Sequence, residues 1–222
     1  RNTDAAGQIE DINNLIQAGV DAIVVNPSNP DGIKSAVKAA TDKGIVVVAV
    51  DQGVNEESAY ILSNNQEQYA YLGAKWLFEQ IGGDGSVIYM RGAAGASADD
   101  VIVDAFVESD TPLVPIVGAD NAGFVGQLNS VDGLVGAAVT NPGSVGGAGV
   151  ALAIKLLEGE KPEQRVVLVD PELWENGTAE GKAKLKVAAD PSLDPEWPVS
   201  IFIPGWTNYT KEQIIACKGP GE

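Results

Sequence analysis

The chain has 222 residues, 45% of them hydrophobic, with 26 glycines and 12 prolines, which excludes a disordered polypeptide and leaves room for one large or two small folded units. Lysines and arginines number 14 against 31 aspartates and glutamates, and the formal charge of −17 argues against nucleic acid or an anionic membrane surface as a partner. With no histidine and a single cysteine, Cys217, an internal disulfide, a Cys/His metal centre and histidine-based catalysis are excluded.

Short β-branched runs alternate with helical spacings, the pattern of βαβ units and a parallel sheet. Ile9, Ile12, Leu15 and Ile16 predict a helix over residues 8–18, with Gly19 as its stop. A buried strand over 22–25 ends at Asn26-Pro27. Residues 31–42 read as the next helix and 45–50 as the next strand, which closes on Asp51-Gln52-Gly53. A short strand over 60–62 leads into Ser63-Asn64-Asn65. The helix that follows, over 66–81, carries an apolar stripe of Tyr69, Leu72, Trp76 and Leu77, which places Trp76 in the core.

A strand over 86–90 runs into the small-residue loop over 91–98 and then a helix over 101–108. Further strands over 113–117 and 133–139 end at Gly118-Ala119-Asp120-Asn121 and Thr140-Asn141-Pro142, followed by a helix over 142–159 and a strand over 166–169. The remainder reads as an irregular tail rich in Trp and Pro. Trp174, Trp197 and Trp206 there suit either packing or stacking on the apolar face of a sugar. No segment has the apolar length of a membrane span, and Arg1-Asn2-Thr3-Asp4 lacks the features of a signal peptide.

In open parallel α/β sheets ligands sit at the carboxyl ends of the strands, where side chains and helix N-termini converge. Four strand ends carry polar clusters: Asp51-Gln52, Ser63-Asn64-Asn65, Asp120-Asn121 and Thr140-Asn141. Carboxylates and side-chain amides in such clusters suit the vicinal hydroxyls of a neutral polyol. The same residues are also good caps for the helices that follow, and the two readings stand side by side for each position. The loop over 92–97 follows a strand but has neither the Gly-x-Gly-x-x-Gly spacing nor the Lys-Ser/Thr of a phosphate loop, and no nucleophile and base are suggestively spaced. No catalytic residue, metal or cofactor is expected, and the chain is not expected to be an enzyme.

Six segments in order then resemble the type I periplasmic sugar-binding proteins, the ribose-, galactose- and xylose-binding group that serves ABC importers. They are Ala18-Gly-Val-Asp-Ala-Ile-Val-Val-Asn-Pro, Ile45-Val-Val-Val-Ala-Val-Asp51, Ser63-Asn-Asn, Gly92-Ala-Ala-Gly-Ala-Ser-Ala, Val117-Gly-Ala-Asp120-Asn, and Leu156-Leu-Glu-Gly-Glu. No single segment is specific, but the series in this order is. The resemblance runs to about residue 170 and is weaker in the tail. It implies an α/β fold of two Rossmann-like lobes, each a parallel sheet flanked by helices, with the second lobe incomplete. Residues 1–98 would form the first lobe, incomplete at its start, 99–140 the second, 141–163 a helix returning to the first, and 164–222 crossing strands and tail.

By the same resemblance, Asp51 matches the aspartate that bonds sugar hydroxyls from the first lobe, and Gln52 stands where ribose-type members place an arginine. Asp120, with Asn121 beside it, matches the aspartate that contacts the sugar from the second lobe. Thr140 replaces a glutamine at a hinge crossing. Asp99 and Asp100 stand just ahead of the position of a ligand-binding arginine that this sequence lacks. The implied protein is monomeric and periplasmic or extracellular, without its signal peptide. It would capture a monosaccharide or polyol by hinge closure and deliver it to an ABC importer permease. The absent arginine, with family segments expected before Arg1 and after Asp100 but not found, supports an alternative: a structural, interaction or sensory protein of the same ancestry with a degenerate ligand site.

Overall fold

The computed structural model describes residues 3–84, Val87 and residues 115–216. The expected loop over 91–98, Asp99, Asp100, the helix over 101–108, Cys217 and most of the strand over 86–90 lie outside the described residues. The elements are α1 (Ala5–Ala18), β1 (Ala22–Val25), α2 (Lys34–Thr41), β2 (Val46–Val50), β3 (Tyr60–Asn64), α3 (Gln66–Gln80), β4 (Ile116–Ala119) and α4 (Ala122–Ser130). After these come β5 (Gly136–Val139), α5 (Val145–Leu157), β6 (Val166–Val169), β7 (Leu173–Glu175), α6 (Ala179–Ala188) and α7 (Lys211–Ile215).

Local chemistry sets the ends. Helix α1 starts earlier than its apolar spacing predicts because the Asp4 side chain accepts the Gly7 N–H at 2.9 Å, and it stops where Gly19 turns left-handed at φ 71°. Strand β5 starts later than expected, after a turn in which Gly133 takes φ 73°.

Four parallel strands form the first sheet, in the order β1-β2-β3-β6. Its two faces are covered by different helices. Ile23, Val47 and Ala49 pack with Ile12, Ile33 and Val37 from the α1 and α2 side, whereas Val48, Val50 and Leu62 pack with Val145, Ala148 and Leu152 of α5. Burial on both faces explains why β2 is an unbroken apolar run instead of an alternating one. The approach of α5 to β2 is close enough that a Cβ at Gly149 would overlap Val50 Cγ1.

In the second sheet, β4 and β5 are parallel and β7 runs antiparallel to β5. Helix α3, which the sequence groups with residues 1–98, packs on this sheet, where Trp76 and Leu77 meet Ala137, Val117 and Leu173. The Trp76 indole donates to Glu175 Oε2 at 2.6 Å. On the other side Val125 and Leu128 of α4 pack with Ala138 and with Leu185 of α6. The tail is therefore not irregular, as the sequence suggests: β7, α6 and α7 order it, and α4 occupies a stretch in which no helix is expected.

Candidate functional site

Because the first sheet is wholly parallel, the residues after β1, β2, β3 and β6 emerge at one edge. Asn26, Asp51-Gln52, Asn65 and Asp170 are thereby gathered there from separate parts of the chain. A cavity of about 620 Å3 opens between α1 and the ends of β1 and β2. Its polar lining is made by Thr3, Gln8, Asp11, Asn26, Ser28, Asp51 and Gln52.

Asp51 is the one non-glycine residue with positive φ among the described residues, at 61°. Its conformation is set by the strands beside it: the Asp51 N–H donates to Leu62 O at 3.3 Å, and its carbonyl accepts the Ser63 hydroxyl at 2.6 Å. Asn26 Nδ2 and Gln52 Nε2 donate to Asp51 Oδ2 over long contacts of 3.3 and 3.4 Å, so the half-buried carboxylate retains capacity to accept. Gln8 on α1 fixes the neighbouring wall, donating to Asn26 O at 2.8 Å and accepting from Ser28 N–H at 2.9 Å. Asn26 and Gln8 are absent from the expected site. The strand end Asn26-Pro27 flags the first, whereas no local pattern announces a pairing between Gln8 and residues 18 and 20 positions away.

The second sheet contributes Asp120, Asn121 and Thr140, and here the polar side chains are already engaged. Asp120 has 0% exposure, and its carboxylate accepts the Asn141 N–H at 2.9 Å and the Ser200 N–H at 2.7 Å. Burial pushes this carboxyl above its usual range, with Ser200 and Asn141 pulling the other way. Asn121 caps α4 by accepting from Phe124 N–H at 2.9 Å, and Thr140 Oγ1 accepts from Glu172 N–H at 2.8 Å. Asp99 lies outside the described residues.

Three crossings join the sheets: 64–66, 140–145 and 169–173. Side chains tie them together. Asn65 Nδ2 donates to Asp170 Oδ1 at 2.8 Å, and Asn64 Nδ2 donates to Pro142 O at 3.4 Å. Asn64 Oδ1 and Ser144 Oγ are buried there without a hydrogen-bond partner among the described residues. The described residues contain no cluster of His, Cys, Asp or Glu able to hold a metal, and no helix long and apolar enough to cross a membrane.

A family model described as a periplasmic binding protein domain matches residues 1–112. The chain is 30% identical over 96 residues to the ribose import binding protein RbsB of Bacillus subtilis, covering 43% of this chain and 32% of that protein. It is 31% identical over 101 residues to a xylitol-binding protein of Mycolicibacterium smegmatis, covering 44% and 28% of the two chains. The matches thus span about a third of these relatives' length. In fold, the chain is similar to an ABC transporter solute binding protein of Thermobispora bispora, with TM-score 0.71 at 19% identity, over 99% of this chain and 83% of the other.

Proposed function

Since the chain belongs to the periplasmic binding protein domain family, we propose that it is an extracytoplasmic solute-binding protein that captures a monosaccharide or polyol between its two halves and presents it to an ABC importer. The observation that carries this reading is the polar wall at the carboxyl ends of β1 and β2. There the half-buried Asp51 carboxylate and Gln52 amide face a cavity of about 620 Å3. A carboxylate with free acceptor capacity beside a side-chain amide matches vicinal hydroxyls, which donate and accept at fixed spacing. The matched ribose- and xylitol-binding relatives support the same ligand class.

Asp51 and Gln52 are assigned direct hydrogen bonds to the ligand, and Asp99 is kept as a further candidate from the second half. Thr140 and Asn121 are kept as candidates from the second half beside Asp99, and the crossings at 64–66, 140–145 and 169–173 act as the hinge. No bond of the ligand is broken: binding to both walls shifts the open and closed populations, and the closed form is what a permease recognises. The chain works as a monomer outside the cytoplasm.

A thermal-shift panel of D-ribose, D-xylose, xylitol, D-galactose and myo-inositol on the full chain tests this. At least one compound should raise Tm in a concentration-dependent way, since a ligand bound only by the folded state stabilises it in proportion to the logarithm of its concentration. If none does, the sugar-capture reading fails.

A further inference from the structure

The last part of the chain touches the two halves in turn. Residues 195–200 lie on α4 and the second sheet: Gly123 N–H donates to Pro195 O at 2.9 Å, Ala122 N–H to Trp197 O at 2.8 Å, and Val199 N–H to Asp120 O at 2.9 Å. Val199 joins the apolar cluster of Val125, Leu128 and Leu185, and Ser200 N–H reaches Asp120 Oδ2. Ile203 belongs to the other half. It is 2% exposed, packed with Val50, Leu62 and Leu152 in the core between the first sheet and α5. Thr207 Oγ1 accepts the Ile203 N–H at 2.9 Å, and the Trp206 ring lies 4.9 Å from Lys155 Nζ on α5. Beyond this anchor, Lys211 of α7 pairs with Asp190, which follows α6 on the second half.

We propose that residues 195–211 form a strap that joins the two halves beside the three chain crossings, and that Asp120 is the residue that positions it. A buried carboxylate with both oxygens on backbone donors suits an anchor, because each donor it satisfies would otherwise be left unpaired away from water. The chain geometry makes the strap short. From Ser200 to Ile203 a fully extended chain reaches at most about 11 Å, so the halves cannot part further at this point without releasing one anchor. The exposed Phe202 and half-buried Ile201 are the span itself. The consequence for ligand capture, a limited opening of the cleft, rests on the hinge reading given under Proposed function. The strap itself does not.

The test uses ligand-free protein, so it stands whether or not a sugar binds. Spin labels at Gln17→Cys on α1 and Gln127→Cys on α4, both exposed, in a Cys217→Ser background, report the separation of the halves. We expect one narrow distance distribution for the otherwise unaltered protein and an added longer-distance population in Asp120→Ala and in Ile203→Ala, which release the strap from opposite ends. Unchanged distributions in both variants overturn the proposal. If Asp120→Ala does not fold, Ile203→Ala alone decides. Hydrogen exchange on the unmutated chain decides independently of either: slow exchange at the Ser200 and Ile203 amides is required, and exchange there at the rate of an unstructured peptide overturns the strap. In Thr207→Ala the Ile203 amide should exchange about tenfold faster.

Discussion

Ser200 donates its backbone N–H to Asp120 Oδ2 at 2.7 Å across eighty residues of sequence, and Asn141 supplies the second oxygen's donor at 2.9 Å. Removing the carboxylate strands two backbone N–H groups, each costing about 1–3 kcal/mol when buried without a partner. Asp120→Ala should therefore lose about 2–6 kcal/mol in urea denaturation. Asp120→Asn, which keeps one acceptor oxygen, should lose less. Equal stability of all three proteins would contradict the geometry of this anchor.

Asp51 combines a half-buried carboxylate on the cavity wall with an unfavourable backbone. At φ 61° glycine carries no steric penalty, whereas a residue with a Cβ does. Asp51→Gly is expected to keep or slightly raise the denaturation midpoint while weakening binding of whichever sugar the panel identifies by at least about tenfold, the worth of one charge-assisted hydrogen bond. Asp51→Val should be destabilised as well as binding-deficient. Calorimetric titration beside urea melts separates the two effects.

Gly149 tests the packing of α5 on the first sheet. A methyl group at this position would overlap Val50 Cγ1 and crowd Val24 Cγ1 at 3.3 Å. Overpacking of this kind costs about 1–3 kcal/mol, so Gly149→Ala should lower the unfolding free energy by that amount despite the higher helix propensity of alanine. A more stable variant would show that α5 shifts at no cost.

Acid should expose opposing carboxylates. The Lys184 ammonium and the Trp174 indole hold Glu172 below the usual glutamate range, and Lys211 and Ser192 hold Asp190 well below the aspartate range. A depressed folded-state value gives stability that is present above the unfolded value and is lost as pH falls through the folded one. Asp120, raised by burial, has the opposite sign: its ionised form is the costly one, and the cost is relieved as pH falls. The stability gap between the unmutated chain and Glu172→Gln should be constant from pH 6 to 8 and close below about pH 4. For Asp120→Asn the gap should not follow that course. Urea melts across this range check both.

The first sheet was legible because its chemistry is local. Val46–Val50 is a β-branched run buried on both faces, and such a run cannot be an exposed helix. Helix α4 is obscured in the sequence because Gly123 and Gly126 lower its helix propensity, although the Asn121 cap and the spacing of Phe124, Val125 and Leu128 carry the signal. Helix α6 was masked by its place in a Pro- and Trp-rich tail, even though Thr178 caps it and its interior is rich in Ala and Lys. In the candidate site, the strand-end rule located Asp51 and Gln52 because a parallel sheet forces them to one edge. It could not foresee that Asp120 would be covered: the covering donor, Ser200, comes from a distant segment whose approach no spacing encodes. The capping alternative is realised in full at Asn121, whose amide serves α4.

The pairing of β3 with β6 aligns Ile61 with Val166 and Asn64 with Val169, so the first sheet is closed by residues made long after the rest of it. Neither half is a continuous stretch of polypeptide. A fragment ending before residue 166 would leave β3 with an unpaired edge and the α5 face without Val167 and Val169. Each half therefore completes its sheet only once the chain has passed through the other, and long-range pairings of this kind are the ones that form slowly and leave sheet edges open in the meantime.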